Sequence, residues 1–279
     1  MTTKKLYHYT SPAGLFGILK SRHLRATSAW HLDDGSECRH AINLFRNIAP
    51  DIAASELWRS VEDALLSQPR YIVCFSKKRD DPHQWLKYAE DGTGACIVFD
   101  PSRLRLPYPS GNFDCMECNY DENSQMQKLS SIAASMRAGN EDTINETQLL
   151  SDFWSCNIAF KRAQFAAENE VRYVFNCTKG GRAGPLPPEP EAQAIASEIN
   201  RDVGNHAHPC GLFDEKSRPF EPLEIDKAYS EIILGPNCQI SPAELKSFGM
   251  QSEISQSILR ALTRKQPLIP EEVPQCTSL

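Results

Sequence analysis

No run of apolar residues in this 279-residue chain approaches the roughly 20 needed to cross the hydrocarbon core of a bilayer, so a membrane-spanning helix is not expected. The opening residues, Met1 to Leu6, contain two lysines but lack the apolar core of a secretory signal. Excess positive charge is also missing. The 30 Lys and Arg against 36 Asp and Glu give a net charge of −6, so the surface as a whole is not the basic one that grips a phosphate backbone, although nucleic acid stays open as a local substrate. Neither a P-loop nor a G-x-G-x-x-G occurs, which removes two common glycine-cradled phosphate sites. There is no internal repeat.

Ten cysteines are present, but their spacing is scattered. Cys74, Cys96 and Cys177 sit inside apolar strand-like runs, where a thiol packs as a small hydrophobe. All three are therefore expected to be buried and reduced, and the chain is expected to be soluble and cytoplasmic. One C-x-x-C, Cys115 to Cys118, has no second copy, and His206, His208 and Cys210 cluster far downstream. Unpaired thiols and surface histidines account for these residues more simply than zinc does, so no metal is expected.

What is present supports one core. With 41% hydrophobic residues, the chain reads as a single α+β domain over residues 1–265, with a tail from 266 to 279 that carries three of its prolines just after Lys265. Short apolar runs at Lys5–Tyr9, Tyr71–Ser76, Ala95–Phe99 and Glu231–Pro236 predict strands. Helical spacing appears after Ser11-Pro12, over Ala53–Leu66 behind Pro50, and over Gln84–Ala89. Two further helical stripes, Asn123–Arg137 and Leu150–Phe165, predict a helical insertion at about 122–165. The segment Asn169–Asn176 alternates with period two, which sets Glu168, Glu170 and Arg172 on one face and Val171, Tyr173 and Phe175 on the other. Residues 178–219, rich in Gly and Pro at their start, predict a long loop, and Ser241-Pro242 with Glu244 predicts a capped helix start.

Three local features carry candidate chemistry: Leu6-Tyr7-His8-Tyr9-Thr10, Cys74-Phe75-Ser76 with Trp85 and Tyr88 behind it, and Glu168-Asn169-Glu170-Val171-Arg172. Each has an ordinary structural reading. His8 can be a hydrogen-bonded strand end, Trp85 and Tyr88 can be core packing, and the two acids with Arg172 can be a solvated stripe that neutralises itself.

Taken together, L-Y-H-Y-T-S, the G-L-x-x-I-L helix, C-F-S, W-x-x-Y-A, G-A-C-I-V-F, E-x-E-x-R and I-I-L-G-P resemble a bacterial domain-of-unknown-function family over Leu6 to Pro236. The order of parts is also similar to that of ADP-ribosyltransferases. That resemblance implies a split β-sheet with flanking helices and NAD as substrate. It further implies cleavage of the nicotinamide–ribose bond, with transfer to a protein or nucleic-acid acceptor, of the kind bacteria employ as toxins or in defence. By the same resemblance Glu170 stabilises the cationic sugar and Glu168 orients or deprotonates the acceptor. His8, Tyr9, Thr10, Ser76, Trp85, Tyr88 and Arg172 line the NAD site, and His8 and Glu170 share one cleft. The chain combines the His of one transferase class with the E-x-E of another and lacks a full S-T-S triplet. A non-catalytic nucleotide- or protein-binding module of the same fold, and an NAD glycohydrolase, are the alternatives.

Overall fold

The computed structural model describes residues 5–32, 38–67, 70–104, 113–139, 145–176, 212–213, 219–225 and 228–241. In chain order the elements are β1 (Leu6–Thr10), α1 (Pro12–Ser21), β2 (His23–Ser28), α2 (His40–Ile48), α3 (Pro50–Ala53), α4 (Glu56–Ser67) and β3 (Arg70–Ser76). There follow α5 (Pro82–Tyr88), β4 (Ala95–Phe99), β5 (Phe113–Glu117), α6 (Glu122–Ala138), α7 (Glu146–Ala159), β6 (Glu170–Asn176), β7 (Leu212–Phe213), β8 (Pro219–Glu224) and β9 (Tyr229–Leu234). The class is α+β, and each strand pair with a described register is antiparallel.

Local chemistry sets the helix starts. Ser11 accepts the Gly14 N–H and Pro12 opens α1, while Asp81 accepts the His83 N–H and Pro82 opens α5. Asp121 accepts from Asn123 and Ser124 ahead of α6, and Asn145 accepts from Gln148 ahead of α7. Each such cap is worth about 1 kcal/mol.

The chain divides into two compact units. Among the described residues, one comprises 5–23, 75–104, 225 and 228–241, and the other 24–32, 38–67, 70–74, 113–139, 145–176, 212–213 and 219–224. In the first, β4 pairs with β1 over Leu6↔Phe99 to Thr10↔Ala95 and with β9 over Ala95↔Leu234 to Phe99↔Tyr229. Helix α5 lays Trp85 on the sheet face formed by Tyr9, Cys96, Val98 and Ile233. Gly94 closes the turn before β4, and a Cβ there would stand 2.1 Å from the Thr10 carbonyl oxygen, so the close approach admits only glycine.

In the second unit β6 pairs with β5 and β3, and β2 joins β3 to β8. Helices α2, α4, α6 and α7 bury an apolar core against this sheet. At its centre the rings of Phe45, Trp58 and Phe153 meet pairwise at 4.4, 4.8 and 4.7 Å between centroids, contacts of about 0.5–1.5 kcal/mol each beyond their buried area.

Several expectations need correction. The helix predicted from Ala53 begins at Glu56, because Pro50 opens its own one-turn helix that closes at Ala54. Of the apolar residues that give Asn123–Arg137 its helical stripe, Leu129, Ala133 and Met136 are buried but Met126 is exposed, and Gln125 and Ile132 are buried as well. The second inserted helix stops at Ala159 rather than at Phe165. Strands β7 and the start of β8 fall inside the expected loop. Cys115, the first thiol of the C-x-x-C, lies within β5. Cys96 is a buried thiol outside any disulfide, as expected, Cys74 is likewise outside any disulfide but only partly buried, and Cys177, the predicted helix at Ser241-Pro242, most of the loop and the tail lie outside the described residues.

Candidate functional site

The E-x-E-x-R segment is not a single strand face. Glu168 ends a 3-10 turn spanning Ala163–Glu168, Asn169 adopts a left-handed backbone at φ 49°, and Glu170 is the first residue of β6. Asparagine tolerates that conformation better than most residues, and the reversal lets both acids point at one partner despite the break. That partner is Lys161. Its Nζ donates to Glu170 Oε2 at 2.7 Å and to Glu168 Oε2 in a shorter bond.

Arg172 closes the other side. Its Nε donates to Glu170 Oε1 at 2.8 Å, its Nη2 to Glu170 Oε2 at 3.3 Å, and its Nη1 to the Ile158 carbonyl at 2.9 Å. Relative exposures are 4% for Lys161, 2% for Glu168, 6% for Glu170 and 0% for Arg172, so a charge-neutral quartet stands inside the second unit. The expectation of a solvated polar face is thereby overturned. Both faces of β6 are buried, one by Val171, Tyr173 and Phe175 and the other by the ion cluster.

The backbone holds these side chains in place. The Glu170 N–H donates to the Tyr120 hydroxyl at 3.0 Å and its carbonyl accepts the Cys118 N–H at 3.0 Å. The Lys161 N–H donates to the Asn119 carbonyl, and its carbonyl accepts from Gln125 Nε2 at 2.9 Å. Gln125 in turn meets His40 Nε2 at 3.1 Å through Oε1.

Burial opposes ionisation of Glu170, but Arg172 and Lys161 outweigh it and hold the carboxyl well below the usual range. Arg172 loses hydration by burial, yet Glu170 keeps it firmly cationic. The Cys74 thiol, which hydrogen-bonds to Glu170, is pushed up by burial and by that carboxylate.

A second group of expected residues lies in the first unit. Tyr7 stands opposite Ser76 in the β1–β3 pair, so Ser76 shares a sheet face with Tyr7 and Tyr9, while His8 points to the other face and meets the Phe75 ring at 5.9 Å. Tyr9 packs edge-on against Trp85 at 4.8 Å, and its hydroxyl donates to the Lys78 carbonyl and accepts the Asp81 N–H, both at 3.0 Å. Ser76 Oγ accepts the Lys78 N–H at 3.1 Å, and Trp85 Nε1 donates to Asp80 Oδ1 at 2.8 Å.

Tyr9, Ser76 and Trp85 are thus brought together and buried, whereas His8 and Thr10 are partly exposed on the opposite face and Tyr88 is exposed. Trp85 is 1% exposed, so its ring has no open face for a nicotinamide. Among the described residues no group of three or more His, Cys, Asp or Glu is arranged to hold a metal ion, and no helix is long and apolar enough to cross a membrane.

Sequence reading did not single out Lys161 as a site residue. It falls at the end of an apolar helical stripe and reads as a helix residue, and the signal available was a lysine at a position expected to be buried.

Residues 84–173 match the family model described as "Protein of unknown function (DUF2971)". The matched span runs from α5 into β6. It contains Trp85, Tyr88, Lys161, Glu168, Glu170 and Arg172, and it leaves out His8, Tyr9, Thr10 and Ser76. No curated protein and no solved structure matches the chain.

Proposed function

We propose that this chain uses NAD as a substrate, cleaving the bond between nicotinamide and ribose and passing ADP-ribose to a protein or nucleic-acid acceptor. The observation that supports this reading is the state of Glu170, ionised between two cations, with its backbone N–H and carbonyl both fixed at the head of β6. Cleavage places positive charge on the ribose, and a carboxylate that is already charged and oriented stabilises that charge without reorganising at the moment of reaction. Since Lys161 and Arg172 occupy both Glu170 oxygens, the chemistry requires Lys161 to release Oε2 as the sugar cation forms. Glu168, held by the same ammonium, then becomes the group that orients the acceptor.

The enclosure of the quartet favours a second reading, a non-catalytic module in which the four charges brace the fold and a nucleotide or protein binds without turnover. Incubation of the full chain with NAD and candidate acceptors, with free nicotinamide measured, separates the two. Turnover that falls at least ~100-fold in Glu170→Gln and is retained better in Glu170→Asp supports the enzyme, the loss matching removal of one preorganised electrostatic contact. No nicotinamide from wild type, or equal turnover in folded Glu170→Gln, overturns it. Calorimetric NAD binding without turnover supports the module.

A further inference from the structure

Helix α7 and the sheet of the second unit leave an open recess of about 350 Å³ that the ion quartet does not use. Arg70 at the head of β3, Asp114 and Met116 on β5, and Leu150, Ser151 and Trp154 on α7 contribute to its lining. The register Asp114↔Val174 and Met116↔Arg172 sets these β5 residues on the sheet face beneath the helix. Its volume lies at the small end of the ~300–1,000 Å³ typical of ligand sites.

Arg70 gives the recess its chemistry. Its guanidinium lies over the Trp154 ring, 4.6 Å from the centroid, and its Nε is buried without a hydrogen-bond partner among the described residues. Asp114 stabilises the cation through space, but no ion pair joins the two among the described residues, and burial is the larger effect, drawing the Arg70 pKa down. A guanidinium stacked on one face, with an Nε–H unsatisfied in its own plane, is a receptor for a two-oxygen anion. The charge of Asp114 at the rim disfavours a dianion such as phosphate and tolerates a monoanion.

We propose that this recess binds a small organic carboxylate, with its oxygens on the in-plane N–H groups of Arg70 and its apolar body against Met116 and Leu150. The Ser151 hydroxyl at the mouth supplies an orienting hydrogen bond. The inference is independent of the NAD reading, because neither Glu170 nor Lys161 lines the recess.

The test is titration of the folded full chain with phenylacetate and with its uncharged counterpart phenylacetamide, followed by calorimetry and by amide chemical shifts. One saturable phenylacetate site is expected, with phenylacetamide at least ~10-fold weaker, as befits a charge-assisted bidentate contact. Arg70→Gln is expected to weaken phenylacetate by a similar factor. Asp114→Asn, which removes the repelling charge from an exposed position, is expected to tighten it about 2- to 5-fold. Absence of saturable phenylacetate binding, equal affinity for acid and amide, or unchanged affinity in folded Arg70→Gln overturns the proposal. Should Arg70→Gln not fold, the Asp114→Asn arm decides, and unchanged or weaker binding there overturns it.

Discussion

Arg172 holds the carboxylate of Glu170, two positions earlier on the same strand, with Nε 2.8 Å from Oε1 and Nη2 3.3 Å from Oε2. Residues two apart on a strand share a face, so this grip follows from the pleat and needs no loop to arrange it. Removing the charge of Glu170 leaves Lys161 and Arg172 buried with one carboxylate between them. Glu170→Gln is therefore expected to lose about 3–5 kcal/mol of stability, the usual cost of breaking a buried pair on one side. Urea denaturation measures it, and a loss under about 1 kcal/mol would mean that the quartet is hydrated in solution.

The same cluster predicts an acid-sensitive fold. The folded-state pKa of Glu170 lies below its unfolded value near 4.3, so its contribution is complete above that value and disappears as the pH falls toward the folded one. In Lys161→Met one of the two supporting cations is gone while burial remains, so the carboxyl titrates higher in the folded state; the loss still begins at the unfolded value but is smaller and ends at higher pH. Urea midpoints for both proteins between pH 3.5 and 7 provide the comparison. Parallel profiles would remove Lys161 from the electrostatics of Glu170.

Tyr9 ties two backbone groups together through one hydroxyl, accepting the Asp81 N–H and donating to the Lys78 carbonyl. Tyr9→Phe keeps the contact with Trp85 but strands both groups, so a loss of about 1–3 kcal/mol is expected. Tyr9→Leu should cost more, because the edge-on ring contact goes as well. Thermal melts of the two variants rank the terms, and equal melts would assign the whole effect to the hydroxyl.

Thiol labelling reports the burial pattern. Cys115 is exposed, whereas Cys38, Cys96 and Cys156 are buried, and burial pushes the Cys156 thiol up to about 12. Iodoacetamide at pH 7.5 should modify Cys115 before any of these three, which become reactive only on unfolding. Peptide mass mapping over time gives the order, and early modification of Cys96 would contradict the packing of α5 on β4.

Much of the fold was legible because it rests on local signals. Ala95–Phe99 coincides with β4 residue for residue, since an apolar run behind a Gly-Thr-Gly turn admits few alternatives. Strand β2, with its mixed HLRATS sequence, was not predicted, because its pairing with β3 and β8 supplies what its own pattern lacks. Helix α2 was missed although Ile42 and Phe45 line its buried face, for its N-cap position, Arg39, makes no side-chain cap hydrogen bond. The two acids and Arg172 were legible as a set. Their enclosure was not, because alternation of polar and apolar residues looks the same whether the polar face meets water or Lys161.

The neutral quartet also constrains how this sequence can change. Each single replacement of Lys161, Glu168, Glu170 or Arg172 by an apolar residue leaves an uncompensated charge in the interior, whereas removing one cation together with one anion restores the balance. The four positions are therefore mutually epistatic, and Lys161→Met with Glu168→Met together should fold better than the sum of the two single losses implies. A saturation library selected for folded protein would recover the paired change while discarding both singles, so the route between two tolerated states at this site passes through a valley that one substitution at a time does not cross.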